Sequence, residues 1–359
     1  MMEENRKSKL IQVLVADDSS FMRLALTRMI ESDPGLRVAG TAQTGLEAIE
    51  KTQLLQPDVI TLDVEMPGLD GLEALKRIMR DMPRPIIMVS SLTQKGAETT
   101  LEALAAGAFD YVPKQRSFVS FEIDKIREDL IAKIKAAVET KKRRPAAVTT
   151  SAPIKLAARP AQRRPPNIVA LGTSTGGPKA LQDMLPLLPA DLPVGVLIVQ
   201  HMPVGFTGPF ATRLNGLCKV SVREAAQNDL VQSGSVYIAP AGQHMTVYRR
   251  PDSQVAIRLA QTPEKTLHMP SVDVMMRSVA EVFRSSAMGV IMTGMGSDGL
   301  EGMRAIVREG GFTLGQDEAS CTVYGMPRAC AENGVLQRVV PLMQIPEQIL
   351  TATAYRKRA

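Results

Sequence analysis

The chain has 359 residues, of which 45% are apolar, 22% charged and 4% aromatic, a length and balance that suit about two globular domains. No stretch approaches the roughly 18 to 20 apolar residues that span a bilayer, and Met1 to Leu10 carries no apolar signal core, so a cytoplasmic protein without membrane insertion is expected. Three cysteines (Cys218, Cys321, Cys330) without C-x-x-C spacing argue against a disulfide frame or a zinc site, and the net charge of +6 is too localised to mark a nucleic-acid surface.

From Leu10 to about Glu139, short apolar strands alternate with amphipathic helical stretches. Ile11 to Ala16 precedes a helix from Ser19, Val38 to Gly40 one from Gly45, and Val59 to Leu62 one from Asp70. Ile86 to Val89 precedes a helix from Gln94, and Phe109 to Val112 a last one ending near Glu139. Five strand-then-helix units predict a doubly wound parallel sheet with its ligand site at the carboxyl ends of the strands. Asp17 and Asp18 close the first strand and Asp63 the third, which gathers three hard oxygen ligands suited to Mg²⁺. Ser90 ends the fourth strand and Lys114 follows the fifth, adding a hydroxyl and a cation able to hold a phosphoryl group.

On these residues the segment resembles the receiver domain of two-component response regulators over its whole length. The resemblance implies a flavodoxin-like fold and a cognate histidine kinase as phosphodonor. Asp63 would be the phospho-acceptor, Asp17 and Asp18 metal-binding acids, and Ser90 and Lys114 the groups holding the phosphoryl. Glu65 would offer its backbone carbonyl to the metal, and Tyr111 would be the conformational aromatic. One position departs from the family pattern: Gln115 follows Lys114 where proline is common, which puts the usual cis bond at that joint in doubt.

Residues 140–166 hold eight Lys or Arg, no acid, and Pro145, Pro153, Pro160, Pro165 and Pro166. Removing those eight charges from +6 leaves −2, so the remainder is near neutral and the segment is expected to be a solvated basic Pro/Ala-rich linker. The expected division is a first domain over 1–139, the linker over 140–166 and a second domain over 167–359.

In the second domain, three apolar runs end in residues of complementary chemistry. Ile168 to Leu171 leads through Gly172-Thr173-Ser174-Thr175-Gly176, a G-x-S-x-G spacing that can expose a nucleophilic hydroxyl. Val194 to Val199 leads to His201, and Gly289 to Thr293 leads to Asp298. As parallel strands of one Rossmann-like sheet they would align Ser174, His201 and Asp298 as nucleophile, base and orienting acid. Backbone amides near Thr175 and Met295 are candidates for an oxyanion hole.

Other assignments stand beside this one. With only three histidines in the chain, His244 is the rival base, and the α/β-hydrolase order would select Ser174, Asp252 and His268. Gly294, Gly296 and Gly299 match the dinucleotide pattern G-x-G-x-x-G, with Asp317 and Glu318 downstream, although Asp298 sets a carboxylate where a pyrophosphate would bind.

Gly-Thr-Ser-Thr-Gly-Gly-Pro, Val-Gln-His-Met-Pro and Thr-Gly-Met-Gly-Ser-Asp-Gly, in this order behind a receiver, resemble the chemotaxis protein-glutamate methylesterase (CheB) family. The resemblance implies a phosphorylation-activated serine hydrolase that demethylates glutamyl methyl esters on chemoreceptor cytoplasmic helices and, in many members, deamidates glutamines. It implies Mg²⁺ for the receiver and no cofactor for the hydrolysis. His268-Met269-Pro270-Ser271-Val272-Asp273 resembles a further family segment, with Met269 where arginine is usual.

Overall fold

A computed structural model describes residues 10–114, 122–143, 164–263 and 266–356. The chain divides into two compact units, Met1–Ala147 and Val148–Ala359.

The first unit runs β1 (Ile11–Ala16), α1 (Ser20–Glu31), β2 (Leu36–Ala42), α2 (Gly45–Leu55), β3 (Val59–Asp63), α3 (Gly71–Asp81), β4 (Ile86–Ser91), α4 (Gln94–Ala105), β5 (Asp110–Lys114) and α5 (Glu122–Arg143). Its helices begin where short polar side chains can accept orphan amides: Ser19, Thr44, Asp70 and Thr93 each cap the following helix through the side chain. The parallel sheet has the order β2-β1-β3-β4-β5, which sets the ends of β1 and β3 side by side at the switch point. Successive residues Val13 to Ala16 and Ile86 to Val89 are all buried, so both faces of the sheet are covered, as expected of a parallel sheet flanked by helices. The last helix continues past Glu139 to Arg143, so the basic run opens inside it. The rest of the expected linker to Arg163, and the joint at Gln115, lie outside the described residues.

The second unit runs β6 (Ile168–Thr173), α6 (Gly177–Met184), β7 (Gly195–Gln200), α7 (Thr207–Leu217), β8 (Ser221–Glu224), β9 (Ser235–Ile238), β10 (His244–Arg249) and β11 (Val255–Ala260). It continues through α8 (Val272–Phe283), β12 (Ala287–Ile291), α9 (Leu300–Arg308), β13 (Phe312–Gln316), α10 (Met326–Glu332), β14 (Arg338–Val340) and α11 (Ile345–Ala352). Seven parallel strands have the order β14-β13-β12-β6-β7-β9-β8. From β6 the chain builds outward through β7 on one side and β12 on the other, so a crevice opens at the carboxyl ends of these three central strands. An antiparallel hairpin, β10 with β11, stands outside the main sheet. His244 opens that hairpin instead of ending the strand Ser235–Ile238.

Candidate active site

In the first unit, Asp17, Asp18 and Asp63 bring one carboxylate oxygen each within 4.8 Å of one another. Lys114 Nζ lies 2.9 Å from Asp17 Oδ2 and 2.6 Å from Asp63 Oδ2. Burial pushes the Asp63 carboxyl up to about 6; Lys114 opposes that shift and the Asp17 charge reinforces it. Burial would lower the Lys114 ammonium, but Asp63 and Asp17 outweigh it and hold its pKa above the ordinary value. Such a cluster of acidic oxygens with one lysine is under-neutralised, and its hard donors fit a small divalent cation. Arg23 Nη1 donates to the carbonyls of Asp17 and Asp18 at 2.8 and 2.9 Å, fixing the turn after β1. The amide of Glu65 donates to Asp63 Oδ1 at 3.2 Å. Ser90 Oγ is directed to α4, donating to the Gly96 carbonyl at 3.2 Å and accepting from Thr100 Oγ1 at 2.7 Å. Tyr111 is buried, with its carbonyl held by Lys133 Nζ at 2.7 Å.

In the second unit, the ends of β6, β7, β12 and β13 carry buried polar residues that bind the crevice loops together. Thr173 Oγ1 donates to the Thr293 carbonyl at 2.8 Å, and the Ser174 amide donates to the same carbonyl at 3.0 Å. Thr293 Oγ1 donates to the Thr175 carbonyl at 2.9 Å, while the Thr293 amide donates to Gln316 Oε1 at 2.8 Å. Gln200 Nε2 bridges the carbonyls of Ser174 at 3.0 Å and His201 at 2.9 Å. Each of these four side chains is almost fully buried, so every lost bond would leave a desolvated polar group at a cost of about 1–3 kcal/mol. The loops are therefore stiff where they present the reactive groups.

Ser174 sits half-buried on the turn between β6 and α6. Gly176 makes that turn with φ +76, where an added Cβ would meet the Thr322 side chain at 2.3 Å. His201 Nε2 lies 2.8 Å from Asp298 Oδ2, with the two side chains 9% and 11% exposed. Nδ1 of His201 is buried and has no hydrogen-bond partner among the described residues, so it is not bonded to the Ser174 hydroxyl; the His201 amide donates to the Thr173 carbonyl at 3.2 Å, which sets the two residues at neighbouring strand ends. Asp298 thus engages Nε2 and not Nδ1 of the ring.

Asp298 is held by the start of α8. Its Oδ1 accepts from Ser271 Oγ at 2.9 Å and from the Asp273 amide at 3.0 Å, and its Oδ2 accepts from the Val272 amide at 2.8 Å. Burial alone would raise this carboxyl, but His201 and the helix amides outweigh it and hold it well below the usual carboxylate range. The exchange is reciprocal: Asp273 Oδ1 accepts from the amides of Gly299 and Gly302 at 2.9 and 2.7 Å, capping α9 just after Asp298. Burial, reinforced by the Asp298 charge, pushes the Asp273 carboxyl upward against those amides.

These bonds bear on the rival readings. Gly299 and Gly302 amides, which a pyrophosphate would need, are already occupied by the Asp273 carboxylate. His244 is fully buried, with Nδ1 accepting from the Ser271 amide at 3.2 Å and Nε2 lying 3.1 Å from the Pro263 carbonyl. Neither nitrogen is left for a serine proton, and burial lowers its pKa. Asp252 is exposed in the β10–β11 turn, paired with Arg250 at 3.5 Å. His268 does reach the crevice, where its ring stacks on His201 with centroids 4.0 Å apart. Gln200, Ser271 and Asp273 lie in segments that the sequence singles out, but their spacing assigns them no role; only the Ser-x-Asp at the mouth of a helix hints at capping.

A family model described as CheB methylesterase matches residues 169–349, and one described as response regulator receiver domain matches residues 13–122. The chain is 45% identical over 361 residues to protein-glutamate methylesterase/protein-glutamine glutaminase 1 of Geobacter sulfurreducens, covering 97% of this chain and 99% of the relative. It is 46% identical over 360 residues to the protein-glutamate methylesterase/protein-glutamine glutaminase of Symbiobacterium thermophilum, covering 97% and 98%. Among solved structures, the Thermotoga maritima CheB methylesterase catalytic domain matches 52% of this chain and 98% of its own length, with a TM-score of 0.51 and 36% identity. Nearly full-length matches above 40% identity to proteins of one name, together with matches to both family models, place this chain in the CheB family of receiver-containing protein-glutamate methylesterases/protein-glutamine glutaminases.

Proposed function

We propose that the second unit hydrolyses glutamyl methyl esters, and the corresponding glutamine amides, on cytoplasmic helices of chemoreceptors through Ser174, His201 and Asp298. The observation that carries this reading is the 2.8 Å His201–Asp298 pair beside the Ser174 turn, with His201 Nδ1 left without a partner among the described residues. Ser174 Oγ attacks the ester carbonyl as His201 Nδ1 takes its proton, and Asp298 stabilises the imidazolium. The tetrahedral oxyanion is held by backbone amides of Thr175 and Met295, neither of which donates a hydrogen bond among the described residues. His201 returns the proton to the departing methoxide, releasing methanol. Water, deprotonated by the same imidazole, then splits the acyl-serine and leaves the glutamate; a glutamine side chain releases ammonia instead.

Asp63 is the site at which a histidine kinase of the chemotaxis system would deliver phosphoryl, giving a cytoplasmic enzyme of adaptation whose activity rises on phosphorylation. Asp17, Asp18, Asp63 and the Glu65 carbonyl would hold Mg²⁺, which when bound neutralises charge on the incoming phosphoryl. Lys114 lies within reach of Asp63, and Ser90 must turn from the Gly96 carbonyl to contribute. The expected division at 139 and 166 goes with this reading, with residues 167–359 as the catalytic part.

The test is methanol release from a methylated receptor fragment by the full chain, with and without acetyl phosphate and Mg²⁺. Ser174→Ala should abolish turnover, and undiminished release would sink the serine mechanism. Turnover by His201→Asn equal to wild type, with loss in His244→Asn, would move the base to His244.

A further inference from the structure

Among the described residues, His201 is tethered at one nitrogen only. The bond from Nε2 to Asp298 fixes that end of the ring, but the imidazole can still swing about it and carry Nδ1, the proton-transfer atom, out of line with Ser174. Nothing in the Ser-His-Asp set itself prevents this, because Nδ1 has no hydrogen-bond partner among the described residues.

The ring is held from outside that set. His268 lies against its face, with centroids 4.0 Å apart and planes 20° from parallel. The segment carrying His268 is itself anchored at several points. Thr266 Oγ1 donates to the His268 carbonyl at 2.9 Å, and the Gly242 amide donates to the Met269 carbonyl at 3.1 Å. Pro270 is buried, and the Ser271 amide donates to Nδ1 of the fully buried His244 at 3.2 Å. Four residues after His268 the chain enters α8, whose first amides grip Asp298. One segment therefore supports both partners of the pair: His268 on the face of the base and Ser271 on the acid at 2.9 Å.

We propose that residues 266–271 form a brace, anchored by His244, in which His268 is a positioning residue that fixes the plane of the His201 ring by stacking. This rests on the assignment of Ser174, His201 and Asp298 as the catalytic set. The role asks for a flat ring and not for proton chemistry: a phenyl ring can stack in the same place, while a methyl group cannot. Misplacing a reacting atom by about 1 Å costs on the order of 10²-fold in rate.

The experiment compares His268→Ala and His268→Phe in the full chain activated with acetyl phosphate and Mg²⁺, on a methylated receptor fragment. Ser174→Ala and His201→Asn are run alongside. His268→Ala should lower kcat by about 10²-fold with KM little changed, and His268→Phe should recover most of that loss. The low-field NMR signal of the proton shared by His201 and Asp298 should broaden in His268→Ala and sharpen again in His268→Phe, while thermal unfolding stays close to wild type in both. Normal kcat in His268→Ala, with Ser174→Ala and His201→Asn inactive, overturns the brace and leaves the catalytic set standing. Equal loss in His268→Ala and His268→Phe also overturns it, because it would show that the imidazole chemistry of His268 and not its shape is needed. Full turnover in Ser174→Ala defeats the catalytic assignment instead.

Discussion

Replacing Asp298 by Asn keeps the side chain's size and reverses the hydrogen-bonding sense of one of its two positions. Both oxygens now face donors only: Ser271 Oγ and the Asp273 amide at one, His201 Nε2 and the Val272 amide at the other. Whichever way the new amide turns, its NH₂ meets two donors. If it turns toward His201, the imidazole must offer a lone pair at Nε2 and carry its proton on Nδ1, where a base must be empty. The charge is lost as well. With the charge centres of imidazolium and carboxylate about 4 Å apart and an effective dielectric constant of about 20, their attraction is about 4 kcal/mol. At about 1.36 kcal/mol per decade that is about 10³ in rate, and the wrong tautomer takes the loss toward the 10⁴ or so that this change causes in serine proteases. Single-turnover and steady-state methanol release would measure it, with thermal unfolding as the control for folding. A kcat within tenfold of wild type in a folded Asp298→Asn protein would refute the reasoning.

The same carboxylate makes a prediction about acid. Its folded value lies well below the unfolded one of about 3.9, so its stabilisation is complete above that pH and disappears as pH falls toward the folded value; Asp298→Asn should flatten the acid limb of a Tm-against-pH curve, and an unchanged limb would refute this. Gly294→Ala should displace Ser174, because the new Cβ would lie 2.4 Å from Met326 Sδ and 2.8 Å from Ser174 Cβ; we expect about 1–3 kcal/mol of destabilisation with a larger change in kcat than in KM, read by thermal unfolding and methanol release. Asp63→Asn should take up no phosphoryl from acetyl phosphate and show no activation while retaining basal turnover, and labelling at the wild-type rate would refute Asp63 as acceptor.

Local chemistry in the sequence already determined much of this protein. The strand-helix alternation and the capping residues Ser19, Thr44, Asp70 and Thr93 are signals within a few residues of the structure they produce. The acids at the ends of β1 and β3, and Ser174, His201 and Asp298 at the ends of β6, β7 and β12, follow from parallel topology, which brings every strand end to one edge. Tertiary structure decided what joins residues far apart in the chain. Sequence spacing could not say that Asp298 would take Nε2 of His201 and not Nδ1, because ring orientation depends on where α8 begins. It could not pair Asp273 with the start of α9 and Asp298 with the start of α8, since each cap is 25 or more residues from its helix in the chain. Nor could it bring His268 onto His201, which needs the hairpin and buried His244 to fold the 266–271 segment back over the crevice. Sequence encodes residue type and local geometry; the direction in which a side chain meets a distant partner is settled only when the elements pack.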